Sequence, residues 1–128
     1  MSKKRVELES FVETTLNNED NYFTKQLIAK YGRRFMSMVQ TLEISERTIT
    51  PGLKIMAEET FLYGAGFYHV LTFLVFCIAL DKHCMIHQHS WYTRKKLIDI
   101  IVNILYDVDF IPPTSSPGLF SFKICTII

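Results

Sequence analysis

The chain has 128 residues, a formal net charge of +1 and 21% charged residues, with Lys, Arg, Asp and Glu interspersed. That balance offers no basic stripe of the kind phosphate-dominated binding needs, which argues against nucleic acid as a partner. The length is one domain's worth, enough to bury about two thirds of the unfolded surface, so a core needs no disulfide or metal. Three cysteines, Cys77, Cys84 and Cys125, are an odd number, and Cys77 sits in an apolar run; reduced thiols are expected.

The segment from Met1 to Glu9 has a basic start but no apolar stretch before its acidic residues, which argues against a secretory signal. Val6, Leu8, Phe11, Val12 and Leu16 recur at helical spacing and predict an amphipathic first helix of about four turns. Asn17-Asn18-Glu19-Asp20 supplies a very short connection and a cap. Phe23, Leu27, Tyr31, Phe35, Met38, Val39 and Leu42 then form a stripe that predicts a second helix over 20–42, interrupted by Gly32.

Ser45 suits the cap of a short helical turn, and Thr50-Pro51 places a capping hydroxyl ahead of proline, so a further helix is expected to begin near Pro51. Leu53, Met56, Phe61 and Leu62 are its inward residues, and Gly64-Ala65-Gly66 breaks it. From Phe61 to Leu80 the chain is almost continuously apolar, with His69 as its single ionisable imidazole. The length fits a membrane span, but Tyr63, Gly64, Gly66, Tyr68 and His69 burden its first half and no Lys or Arg cluster flanks it closely. A helix apolar all round, among amphipathic ones, predicts instead the central helix of a bundle and no integral membrane span. Asp81-Lys82-His83 is expected to return the chain to solvent. Trp91, Tyr92, Leu97, Ile98, Ile101, Ile104 and Leu105 predict another amphipathic helix that stops before Pro112-Pro113. The expected organisation is a helical domain over 1–112, with six or so helices, followed over 113–128 by a linker and a short apolar tail, Leu119 to Ile128.

Chemistry is sparse. His83, Cys84, His87 and His89 crowd what reads as one interhelix loop, but their spacing matches no common zinc pattern and no second cluster closes a tetrahedral site. The sequence has no nucleophile elbow, phosphate-cradling glycine loop, His-Glu-x-x-His or paired carboxylates on an apolar face, and Glu58 and Glu59 read as solvent-facing. No enzyme activity, catalytic residue, metal or cofactor is expected.

Tyr31-Gly-Arg-Arg-Phe35, Gln40-Thr-Leu42, Glu58-Glu59 and Gly66-Phe-Tyr-His-Val-Leu-Thr-Phe73, taken together, resemble the Bcl-2 family of apoptosis regulators. The family's Tyr-Arg-Arg-x-Phe, the following Gln-Leu and the Asn-Trp-Gly-Arg-Ile-Val-Ala-Phe motif align without a gap. Leu8, Phe11, Val12 and Leu16 resemble its N-terminal homology segment, so the resemblance covers about 5–112. It implies an all-α, Bcl-2-like bundle around a central hydrophobic helix. It also implies capture of the amphipathic BH3 helix of pro-apoptotic proteins, Bim-like or of Bak or Bax type, in a hydrophobic groove.

The residues assigned to that groove are Tyr31, Phe35, Met38, Met56, Glu59, Tyr63, Phe67, Tyr68, His69, Leu71 and Phe76. At helical spacing, Phe35, Met38 and Phe76 equally fit core packing. Tyr68 and His69 replace the family's glycine and arginine, and a neutral imidazole weakens the charge-assisted contact with the ligand's aspartate. The family's later tryptophan and its BH3 motif in helix two are also missing. The short first connection and the lack of a membrane anchor make the chain resemble a viral Bcl-2 protein. That implies a selective, anti-apoptotic viral inhibitor in host–virus interaction, in the host cytoplasm or peripherally at mitochondria, and expected as a homodimer through Tyr63, Phe67 and Tyr68. The alternative is a Bcl-2-fold interaction module that has lost BH3 binding and modulates innate immune signalling.

Overall fold

The computed structural model describes residues 2–113, and three of its helices start where a small polar side chain satisfies the free amides of the first turn. Ser2 Oγ accepts from the Arg5 amide at 3.2 Å and opens α1 (Lys3–Asn17). Asn21 Oδ1 accepts from the Phe23 amide at 3.1 Å and opens α2 (Tyr22–Thr41). Thr93 Oγ1, accepting from Lys96 at 3.2 Å, opens α5 (Arg94–Asp107). No side chain caps α3 (Ile49–Thr60) or α4 (Phe67–Ile86). The five helices make an all-α bundle, with no strand among the described residues.

The axis is α4. Its residues from Phe73 to Asp81 are buried without a break, which covers every side of more than two turns. α1, α2 and α3 pack on it, while α5 pairs with α1 and touches α3. Phe23, Phe67, Phe11 and Phe110 form a chain of rings with successive centroids 5.9, 6.3 and 5.5 Å apart, fastening the start of α4 to α2, α1 and the segment after α5. Phe110 is held there by the end of α5: the Phe110 amide donates to Leu105 O and the Asp109 amide to Tyr106 O, both at 3.1 Å, with Asp109 left-handed at φ 56°. α4 is the one helix among the described residues long and apolar enough to cross a membrane, but 67% of its apolar window is buried inside the bundle.

Several expectations are corrected. The central helix starts after the expected break at Gly64-Ala65-Gly66, where Gly64, at φ +129°, carries the chain through a turn only glycine adopts easily, so the first residues of the Phe61–Leu80 run lie outside it, and it continues to Ile86 rather than ending near Leu80. Leu62 therefore faces solvent, while Phe61 remains half-buried, edge-on to Phe73 at 5.5 Å. Asp81-Lys82-His83 does not return the chain to solvent: the helix continues and Asp81 is buried, since its carboxylate finds partners inside. α3 begins at Ile49, so Thr50 is not its cap; Pro51 falls in the first turn, where its missing amide leaves no bond unmade. Trp91 and Tyr92 precede α5 instead of lying in it, and Val6 is half exposed. The expected tail, Leu119 to Ile128, lies outside the described residues.

Candidate functional site

α2 and α3 both pack on α4, and where the end of α2 and the start of α3 come together over it they leave a trough with α4 as its floor. At one end it deepens into an apolar pocket of about 120 Å³. The lining is Leu42, Glu43 and Ile44 after α2, Thr48, Ile49, Gly52 and Leu53 at the start of α3, and Phe76 and Leu80 from the floor. Drug-sized ligands need pockets of about 300 Å³ or more, so what fits here is one bulky apolar side chain of a larger partner.

At the other end the floor and one wall touch. The Tyr31 and Tyr68 hydroxyls are 3.2 Å apart, bridging α2 to the first turn of α4. This contact draws the Tyr31 phenol below its ordinary pKa and pushes that of Tyr68 above it. Tyr31 stacks on Phe35 at 5.5 Å and 15°, and Phe35 meets Phe76 edge-on at 5.5 Å, giving one continuous aromatic line from the rim to the floor. Lys30 Nζ lies 5.1 Å over the Tyr31 ring.

The structure treats the assigned residues unequally. Phe35, Leu71 and Phe76 are buried and belong to the core, so Phe76 meets the trough only as floor. Tyr31, Met38 and Met56 are half-buried on the two walls, and Glu59 is exposed on α3. Tyr68 is 39% exposed and edge-on to Phe23 at 6.2 Å, with the half-buried His69 ring 5.9 Å away. Phe67 is half-buried among Phe11 and Phe23. Tyr63 stands apart, 90% exposed in the turn between α3 and α4. Of the deep pocket's lining only Phe76 is among the assigned residues: Leu42 and Leu53 do fall on predicted inward stripes, whereas Ile44 lies in the connection between α2 and α3 and Ile49 opens α3 ahead of the start expected near Pro51.

Beyond the trough, Asp81 accepts from Tyr92 Oη and, at 3.2 and 2.7 Å, from Arg94 Nε and Nη2, while Arg94 Nη1 reaches Asn17 Oδ1 at the end of α1. The histidines are not a loop cluster: His83 and Cys84 are in α4, with Cys84 turned into the core and the His83 ring 4.2 Å from that of His87. Among the described residues no group of three or more His, Cys, Asp or Glu converges as a metal site. No family model, no curated protein and no solved structure matches the chain.

Proposed function

We propose that this protein captures an amphipathic helix in the trough between α2 and α3, an apolar side chain of the ligand entering the Leu42–Leu53–Phe76 pocket. The observation that carries this reading is the apolar pocket between the end of α2 and the start of α3, floored by Phe76 and Leu80 of the helix on which both pack and sized for one side chain. Together with the Bcl-2-like motifs at Tyr31 to Phe35 and Gly66 to Phe73, it supports a selective viral inhibitor of apoptosis that sequesters BH3 proteins, Bim-like or of Bak or Bax type, in the host cytoplasm or at the mitochondrial surface. Self-association into a homodimer belongs to the same reading, with the exposed Tyr63 and Tyr68, joined by Leu62, as the apolar surface that a second copy covers, whereas Phe67 packs against Phe11 and Phe23.

The Tyr31–Tyr68 contact supports a second reading, a Bcl-2-fold module for innate immune signalling, because it narrows the end of the trough opposite the pocket. Calorimetry against a panel of BH3 peptides separates the two. Micromolar or tighter binding of at least one peptide, weakened by Leu53→Gln in the pocket wall, is the expected result; no binding across the panel would overturn the capture reading.

A further inference from the structure

Three of the chain's four histidines gather where α4 ends, and none of them lines the pocket. Read as a loop, their spacing matches no zinc pattern; folded, it changes meaning. α4 runs on to Ile86 and the His87 amide still donates to His83 O at 3.1 Å, so His83 and His87 lie one helical turn apart on the same face. Their rings stand 4.2 Å apart at 47°. Gln88 is left-handed at φ 51°, and beyond it the His89 ring lies 6.1 Å from that of His87 and 6.4 Å from that of His83.

The charged groups nearest in sequence are occupied elsewhere. Asp81 accepts from Tyr92 and Arg94, and Lys82 pairs with Glu19 at 2.7 Å. Among the described residues no carboxylate comes within 4.0 Å of the three imidazoles. Burial and the two neighbouring rings hold the His83 pKa below its ordinary 6.5, so at neutral pH its imidazole keeps a free lone pair. His83 is half-buried and His87 exposed, which leaves the pair open to an ion from solvent.

We propose that His83 and His87 form a binding site for a divalent transition-metal ion of the imidazole-preferring class, Cu2+, Ni2+ or Zn2+, with water in the remaining positions. With metal–nitrogen bonds of about 2.1 Å, two rings sharing one ion stand with centroids roughly 4.5–5.5 Å apart, so the 4.2 Å pair has only to open by about 1 Å. Three rings do not converge on one point, so the site is an open two-imidazole chelate and not a closed structural cage. The ion would tie the last turn of α4 to the first residue of the connection to α5. Beside it His89 stacks on Trp91 at 5.3 Å and 25°, and Trp91 meets Tyr92 edge-on at 5.8 Å, so occupancy is felt at the one tryptophan of the chain.

Trp91 therefore gives the readout. In a protein free of any polyhistidine tag, micromolar Cu2+ should quench its fluorescence saturably and calorimetry with Ni2+ should give one ion per chain, whereas Mg2+ should do neither. His87→Gln should weaken both signals by about ten-fold or more, and His83→Gln combined with His87→Gln should abolish them. Cys125→Ser should bind like the parent, which excludes the thiol outside the described residues as the ligand. Saturating Ni2+ should raise the melting temperature of the parent and not that of the double variant, because the paired geometry exists only while the helix is formed. Circular dichroism checks that the substitutions leave the helices intact. Saturable binding that survives in the double variant places the ion elsewhere and overturns the assignment. So does a parent that binds neither ion, or one that binds Ni2+ with no change in melting temperature.

Discussion

Arg94 holds Asp81 by two hydrogen bonds of 3.2 and 2.7 Å, although thirteen residues separate them and the aspartate lies in the most apolar helix of the chain. Tyr92 and Asn17 complete the arrangement, so a single carboxylate ties α4 to the start of α5 and, through Arg94, to the end of α1. Arg94→Ala removes the charged partner of Asp81 in a site where the aspartate side chain is 6% exposed. Because the arginine itself is partly exposed, the loss should fall below that for a fully buried pair, at about 2–3 kcal/mol. Urea unfolding measures it, and a loss under about 0.5 kcal/mol would show the pair to be incidental.

Acid should loosen the same end of the bundle. Burial, together with His87 and His89, depresses the His83 pKa below its ordinary 6.5. The folded state then binds fewer protons than the unfolded chain, so His83 contributes stability above pH 6.5 that is lost as pH falls through its folded value. His83→Gln should flatten the dependence of unfolding free energy on pH between about 7 and 5. Identical profiles for the two proteins would exclude His83 as the source.

Alkali should act on the core thiols. Burial pushes Cys84 up to about 11 and Cys77 well above its ordinary value, with Asp81 adding to both. Here the folded state binds the extra proton, so stability present below about pH 9 declines as pH rises toward 11. Both cysteines should resist iodoacetamide in the native protein at pH 8 and react in urea, as peptide mass spectrometry can follow. Native alkylation of Cys84 at the rate of the unfolded chain would contradict its burial.

The axis should be the costliest place to cut. Phe73 is completely buried and takes Phe61 edge-on, so Phe73→Ala should lose about 3–5 kcal/mol and Leu74→Ala about 2–5 kcal/mol. Ile55→Ala, at a position 57% exposed on α3, should change stability by less than about 0.5 kcal/mol. Denaturant titrations that rank the three otherwise would place the core elsewhere.

Self-association has its own measurement. Sedimentation at micromolar concentration should detect a dimer, and Tyr63→Ser, at the most exposed of the large hydrophobic side chains among the described residues, should shift it toward monomer without loss of helix. A parent protein that stays monomeric removes the dimer from the reading.

Periodicity alone determined much of this protein. The stripe from Phe23 to Leu42 gave α2 to within a residue or two, and the uniform apolarity after Gly66 marked the buried axis, since only a helix covered on every side can keep such a surface from water. The all-α class followed. What the tertiary structure decided is where that pattern is silent or is overridden by a distant partner. Asp81 looks like an exit to solvent until Tyr92 and Arg94 arrive from beyond the next turn, because the cost of burying a carboxylate depends on groups no local window contains. Tyr31 and Tyr68 are 37 residues apart in sequence and joined only by the packing of α2 on α4. The pocket, too, belongs to the assembly: Leu42 and Leu53 read as ordinary inward residues and Phe76 fits core and groove equally, and a cavity forms among them only because the end of α2 and the start of α3 come together over the same helix.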